Sequence, residues 1–106
     1  GPLYKSHELM GESIRINFDH TTGGLKTNDN APVKGFAIAG PDHVWHWATA
    51  TIDGNSVIVS SDKVKFPVAV RYAWADNPAC NLYNGANLPA FPFRTDSWNG
   101  VTYGKK

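Results

Sequence analysis

Lys65-Phe66-Pro67-Val68-Ala69-Val70-Arg71-Tyr72-Ala73-Trp74, running on into Ala75-Asp76-Asn77-Pro78, is the stretch whose reading decides the fold. From Val68 to Trp74 the side chains alternate. Val68, Val70, Tyr72 and Trp74 point one way and Ala69, Arg71 and Ala73 the other, which is the period of two that marks a strand. The side carrying two valines, a tyrosine and a tryptophan needs a second layer to cover it. The other side is small except for Arg71, which, if covered, calls for a carboxylate or carbonyl partner. Asp76-Asn77-Pro78 ends the strand, because turn formers are followed by an imide that donates nothing to a ladder.

Working outward, Leu3 to Leu9 reads as a first strand, Gly11-Glu12 as a turn, and Ser13 to Phe18 as a half-buried partner in which Ile14, Ile16 and Phe18 alternate with polar residues. Asp19 to Val33 loses the pattern among turn formers, with Leu25 as its one apolar anchor; a loop of that length in a small domain is commonly functional or docked on something else. Gly35 to Gly40 is a short strand between glycines. Val44 to Ile52 reads as one strand, with Trp45, Trp47, Thr49 and Thr51 on one face and His46, Ala48, Ala50 and Ile52 on the other. Asp53-Gly54-Asn55 folds it back on Ser56 to Ser60 through a tight primed turn. Asn81 to Phe93 reads as irregular, pinned by Leu82, Tyr83, Leu88, Phe91 and Phe93. No stretch combines helical spacing, good helix formers and a cap, so helix is expected to be minor. The expected fold is all-β: an antiparallel β-sandwich, immunoglobulin-like or jelly-roll-like, of about seven short strands, with residues 1–106 as one domain.

Composition narrows the function classes. The chain has 106 residues, enough for one modest core, and 42% of them are hydrophobic against 18% charged, which argues against disorder. Ten basic against nine acidic residues leave a net charge of +1, so neither nucleic acid nor an anionic membrane is implied as a partner. No apolar run approaches the ~20 residues of a spanning helix, and no charged-then-apolar leader opens these residues. A single cysteine, Cys80, excludes an internal disulfide and a multi-cysteine metal site, and without an adjacent cation it reads as a packed, inert thiol.

The chemistry of a hydrolase is absent in presentation though not in residue types. There is no Gly-x-Ser-x-Gly elbow, and Gly54-Asn55-Ser56 falls in an ordinary hairpin turn. His43 and His46, three apart, face opposite ways on a strand, so Asp42, His43 and His46 read as turn residues rather than metal ligands. The acidic residues nearly all lie in turns. No catalytic residue, metal site or cofactor is therefore expected. The aromatic residues keep two readings: core or interface packing, or a stacking platform for sugar rings. Arg71 likewise is either tied to a carboxylate such as Asp76 or Asp96 or faces a ligand anion. The candidate interface or sugar-contacting residues are Arg71, Trp74, Asp76, Asn77, Tyr83, Trp45 and Trp98.

A resemblance gathers these stretches. Ile14 to Phe18 with Gly23-Gly24-Leu25, Gly35 to Gly40, and above all Val70 to Pro78 through Asn81-Leu82-Tyr83-Asn84 and Leu88 to Asp96, together with Gly1-Pro2-Leu3-Tyr4, resemble the C-terminal part of sialate O-acetylesterases over nearly the whole chain. That family removes acetyl groups from sialic acid hydroxyls with a serine, histidine and aspartate on an α/β domain of the SGNH-hydrolase type. Its Gly-Gln-Ser-Asn nucleophile motif and its Asp-x-x-His block have no counterpart here, so no catalytic residue carries over. The resemblance implies an accessory C-terminal β-domain of a larger, secreted or periplasmic esterase. Its partner would be the catalytic domain of the same polypeptide, docked on the surface carrying the Asp19 to Val33 loop and the Ala75 to Phe93 segment. The alternative it leaves is a carbohydrate-binding module that meets sialylated glycans through exposed aromatic rings.

Overall fold

The computed structural model describes residues 1–29, 31–73 and 80–96. Among them are ten strands and no helix: β1 (Leu3–Leu9), β2 (Ser13–Asp19), β3 (Leu25–Thr27), β4 (Phe36–Ala39), β5 (Trp45–Trp47), β6 (Thr49–Asp53), β7 (Ser56–Ser60), β8 (Ala69–Tyr72), β9 (Leu82–Asn84) and β10 (Phe93–Arg94). Two four-stranded antiparallel sheets, in the orders β1-β2-β7-β6 and β10-β8-β4-β5, contribute to one core, and β3 and β9 form a separate two-stranded ribbon.

Alternation builds the first sheet as the sequence predicts. Ile14 and Ile16 of β2 stand opposite Val59 and Val57 of β7, and Val59 and Val57 in turn stand opposite Ala50 and Ile52 of β6. Burying each of the larger side chains is worth about 1.5–3 kcal/mol, which is what commits this face to the core. The Asp53-Gly54 turn is present, with Gly54 at φ 64°. On the outward face a polar ladder crosses three strands: the Asn17 amide donates to Ser6 Oγ at 3.0 Å, and Ser56 Oγ donates to Asn17 Oδ1 at 2.6 Å. A bulge between Tyr4 and Ser6 in β1 resets the side-chain parity. Tyr4 and His7, three apart, thereby meet through the Tyr4 hydroxyl and His7 Nδ1 at 2.6 Å.

In the second sheet, Phe36 and Ile38 of β4 face Tyr72 and Val70 of β8, and Tyr72 faces Phe93 of β10. Phe93 is the aromatic hub of the core, with ring centroids 4.9 Å from Tyr4, 5.7 Å from Phe18 and 6.2 Å from both Phe36 and Tyr72. Every residue of β4 and β8 is buried, so the two central strands of this sheet are covered on both faces.

Three expectations need correcting. Val44 to Ile52 is not one strand: β5 pairs with β4 in the second sheet and β6 with β7 in the first, and the chain crosses between layers at Ala48, whose N–H bonds to the Phe36 carbonyl at 3.0 Å. The strand at the centre of the sequence reading spans Ala69–Tyr72, with Val68 already at its margin and Trp74 outside the described residues. The described residues hold ten strands where about seven were expected, because both stretches read as irregular contain short ones: β3 in Asp19 to Val33, and β9 in Asn81 to Phe93, with β10 starting at its last residue.

Buried asparagines hold those irregular stretches. The Asn81 side chain donates to Asp29 Oδ1 and to the Pro32 carbonyl, both at 3.0 Å, and accepts from the Lys34 N–H at 2.7 Å. The Ala31 N–H, and after it the Asn81 amide, donate to the Asp29 carboxyl and hold it below its usual range. Asn84 accepts from the N–H groups of Ala86 and Leu88 and donates to the His20 carbonyl. Where the ribbon ends, Gly23 and Gly85 touch backbone to backbone: a Cβ on Gly85 would lie 2.5 Å from the Gly23 carbonyl oxygen.

Candidate functional site

The second sheet's outer face explains why its alanines are small. Ala37 stands beside Trp47 on one flank and Arg71 on the other, and Ala39 beside Trp45 and Ala69. Methyl groups on β4 leave room for the Arg71 side chain and the Trp45 indole to lie across the strand. The Arg71 guanidinium carbon sits 4.3 Å from the centre of the Trp45 ring, a cation–π contact. Arg71 and the Asp96 carboxylate form a two-pronged pair, Nε to Oδ1 at 3.0 Å and Nη2 to Oδ2 at 2.7 Å. Asp96 is delivered there by Thr95, which bonds both ways with Val70: its N–H donates to the Val70 carbonyl and its Oγ1 accepts from the Val70 N–H.

Both partners of this pair are out of water, with side-chain exposures of 0% and 1%. Of the carboxylates named from sequence as partners for Arg71, Asp96 is in contact with it, and Asp76 lies outside the described residues. A guanidinium so enclosed, with Nε and Nη2 both on Asp96 and its carbon against the indole, holds the Trp45 ring in place.

Beside it lies a half-open cavity of about 340 Å³ lined by Ala37, Trp45, His46, Trp47 and Lys63. Trp45 and Trp47, two apart on β5, share one face and form its wall. Trp47 is 64% exposed. Lys63 is presented by the tight turn after β7, in which Ser61 pairs with Val64 and Ser61 Oγ accepts from the Lys63 N–H. A second hollow of about 310 Å³ adjoins through His46 and Lys63, and is lined also by Gly40, Pro41, Asp42, Val64, Lys65 and Phe66. Phe66 is 69% exposed. Asp42 spends one carboxylate oxygen on the Val44 N–H within its own turn. The assembly offers indole faces, ammonium groups and an imidazole, which suits recognition by stacking and charge.

Of the remaining residues singled out by sequence, Tyr83 stands apart from this cleft. Tyr83 lies on the β3–β9 ribbon opposite Lys26 and bridges to Pro89. Trp74, Asp76, Asn77 and Trp98 lie outside the described residues. Tyr72 is buried, its hydroxyl accepting from the Leu82 N–H at 3.0 Å, and burial drives its phenol far above the ordinary range. Burial also raises the Cys80 thiol. His43 sits in a turn at φ 62° with its N–H on the Gly40 carbonyl. Among the described residues no three His, Cys, Asp or Glu side chains gather as metal ligands. Sequence reasoning missed Lys63 and His46 as cleft residues, because nothing in the local pattern marks which turn will face β5.

No protein-family model and no curated protein matches this sequence. Among solved structures, the chain is similar to a carbohydrate acetylesterase from Xanthomonas citri, known from its crystal structure. The two share 47% identity over 92% of this chain, with a TM-score of 0.87. This chain spans 23% of that protein's length, and so corresponds to a minor portion of an esterase polypeptide.

Proposed function

We propose that residues 1–106 are an accessory β-sandwich of a larger carbohydrate esterase, built to dock on and stabilise the catalytic domain of the same polypeptide. The observation that carries this reading is the disproportion in the likeness: 92% of this chain matches an acetylesterase that it spans only to 23%. The substrate class proposed for the whole protein is O-acetylated sialic acid, resting on the resemblance of the Val70 to Asp96 string. The catalytic serine, histidine and aspartate belong, in this reading, to the other domain.

The docking face is the one formed by the two irregular stretches. β3 and β9 bring them side by side, and Asn84 ties one to the other through the His20 carbonyl. Leu88 and Phe91 stand half exposed there, and the Phe91 N–H bonds to the Pro2 carbonyl, next to half-exposed Leu3. A cluster of that kind is what a contact between domains of one chain requires.

The test is made on the longer polypeptide that contains this chain. O-acetylated sialosides should be hydrolysed, and Leu88→Ser with Phe91→Ser should lower the melting temperature of the catalytic domain while leaving the 106-residue chain itself folded. Hydrolysis of other acetylated sugars but not of sialosides would replace the substrate class. A catalytic domain whose melting is indifferent to both substitutions would remove the docking role.

A further inference from the structure

We infer that the joined hollows beside β5 are a binding site for an acidic glycan, with a pyranose ring stacked on Trp47 and its carboxylate held by Lys63. The inference stands on the cleft alone and does not require the esterase reading. Three observations carry it.

The first is Trp47 itself. An indole that is 64% exposed on a strand hydrogen-bonded to its neighbour is a large apolar face kept in water and kept in place. The hydrogen-rich face of a sugar ring covers such a surface, and the hydroxyls around it remain free for polar partners.

The second is rigidity beneath the platform. Trp45, the neighbouring ring on the same face, lies against Arg71 at 4.3 Å, and Arg71 is locked by Asp96. The wall of the cleft is therefore preorganised, which spares a ligand the cost of ordering it.

The third is the imbalance of charge. Among the described residues, two lysines, Lys63 and Lys65, line the two hollows against one carboxylate, Asp42. A neutral glycan would leave the surplus positive charge unmatched, whereas a carboxylated sugar matches it. With about 340 Å³ in the first hollow and about 310 Å³ adjoining it, the cleft takes one ring at Trp47 and the next unit toward Phe66.

The 106-residue chain is titrated with 3′-sialyllactose, with lactose and with a glutamate-rich peptide, followed by tryptophan fluorescence and amide chemical shifts. Saturable binding of sialyllactose is expected, with lactose weaker by roughly tenfold and the peptide weaker still. Trp47→Ala, at an exposed position that leaves melting unchanged, should abolish saturation. Lys63→Gln should retain binding but erase the preference for the acidic sugar. Absence of saturation by sialyllactose, binding indifferent to Trp47→Ala, or a peptide that binds as well as the sugar would each overturn the proposal.

Discussion

Arg71 and Asp96 meet edge to edge, with neither side chain open to water, across 25 residues of sequence and on the outer face of a sheet. Removing the carboxylate with Asp96→Ala takes from a buried cation the two-pronged partner described above and should cost about 3–5 kcal/mol. That is a large share of the 5–15 kcal/mol typical of a whole domain, so the urea midpoint should collapse. Replacing both partners, Arg71→Met with Asp96→Leu, should restore most of the loss, because two apolar side chains need no compensation. A double substitution no better than Asp96→Ala would show that the pair has a role beyond mutual neutralisation.

Asn81 fastens the loop ahead of β4 through one buried amide. Asn81→Leu would strand the Lys34 N–H and the Pro32 carbonyl, at about 1–3 kcal/mol for a buried group left unmade. The local signature is faster hydrogen exchange at Lys34, with little change at the β2–β7 ladder amides.

Gly85→Ala sets a methyl carbon against the backbone of Gly23, at a distance real Cβ atoms do not tolerate. The ribbon must part to admit it, and overpacking of this kind costs about 1–3 kcal/mol. Weakened hydrogen-exchange protection at the Gly85 N–H, which bonds to the Gly24 carbonyl, should accompany the lower midpoint.

Tyr72 makes stability depend on alkaline pH. Its phenol is raised by burial, so above the unfolded-state value of about 10 the unfolded chain releases a proton that the folded chain keeps. The stabilisation is complete below that pH and declines above it, by at most about 1.4 kcal/mol per pH unit from this group. Tyr4, raised in the same direction by burial, adds to the decline. Tyr72→Phe should cost about 1–3 kcal/mol at neutral pH, since the Leu82 N–H loses its acceptor, and should flatten the fall between pH 10 and 12 in a pH series of denaturation midpoints.

The two hairpins were legible because their signals are local. Ile14, Ile16 and Phe18 alternate without interruption, and Asp53-Gly54 supplies the turn. The break at Ala48 was not, because alternation runs unbroken from Trp45 to Ile52 while the partner strand changes from β4 to β7, and only tertiary packing fixes that change. The ribbon strands β3 and β9 are three residues each, too short for periodicity to register. Asn81 and Asn84 look like turn formers in sequence, yet they are buried and act through their side chains. At the site, sequence offered Arg71 a carboxylate such as Asp76 or Asp96, or a ligand anion, and left Trp45 open between core and platform. It did not point to Lys63, whose position beside β5 depends on where the turn after β7 ends up.

The crossing at Ala48 ties the two sheets by a single residue. Neighbouring strands on either side of it lie in different layers, so neither layer can be peeled off without dragging the other. Loss of structure should therefore be one concerted event across the sandwich. An extra residue inserted there would rotate Trp45 and Trp47 off the face they share with Arg71, dismantling the cleft while both hairpins still formed.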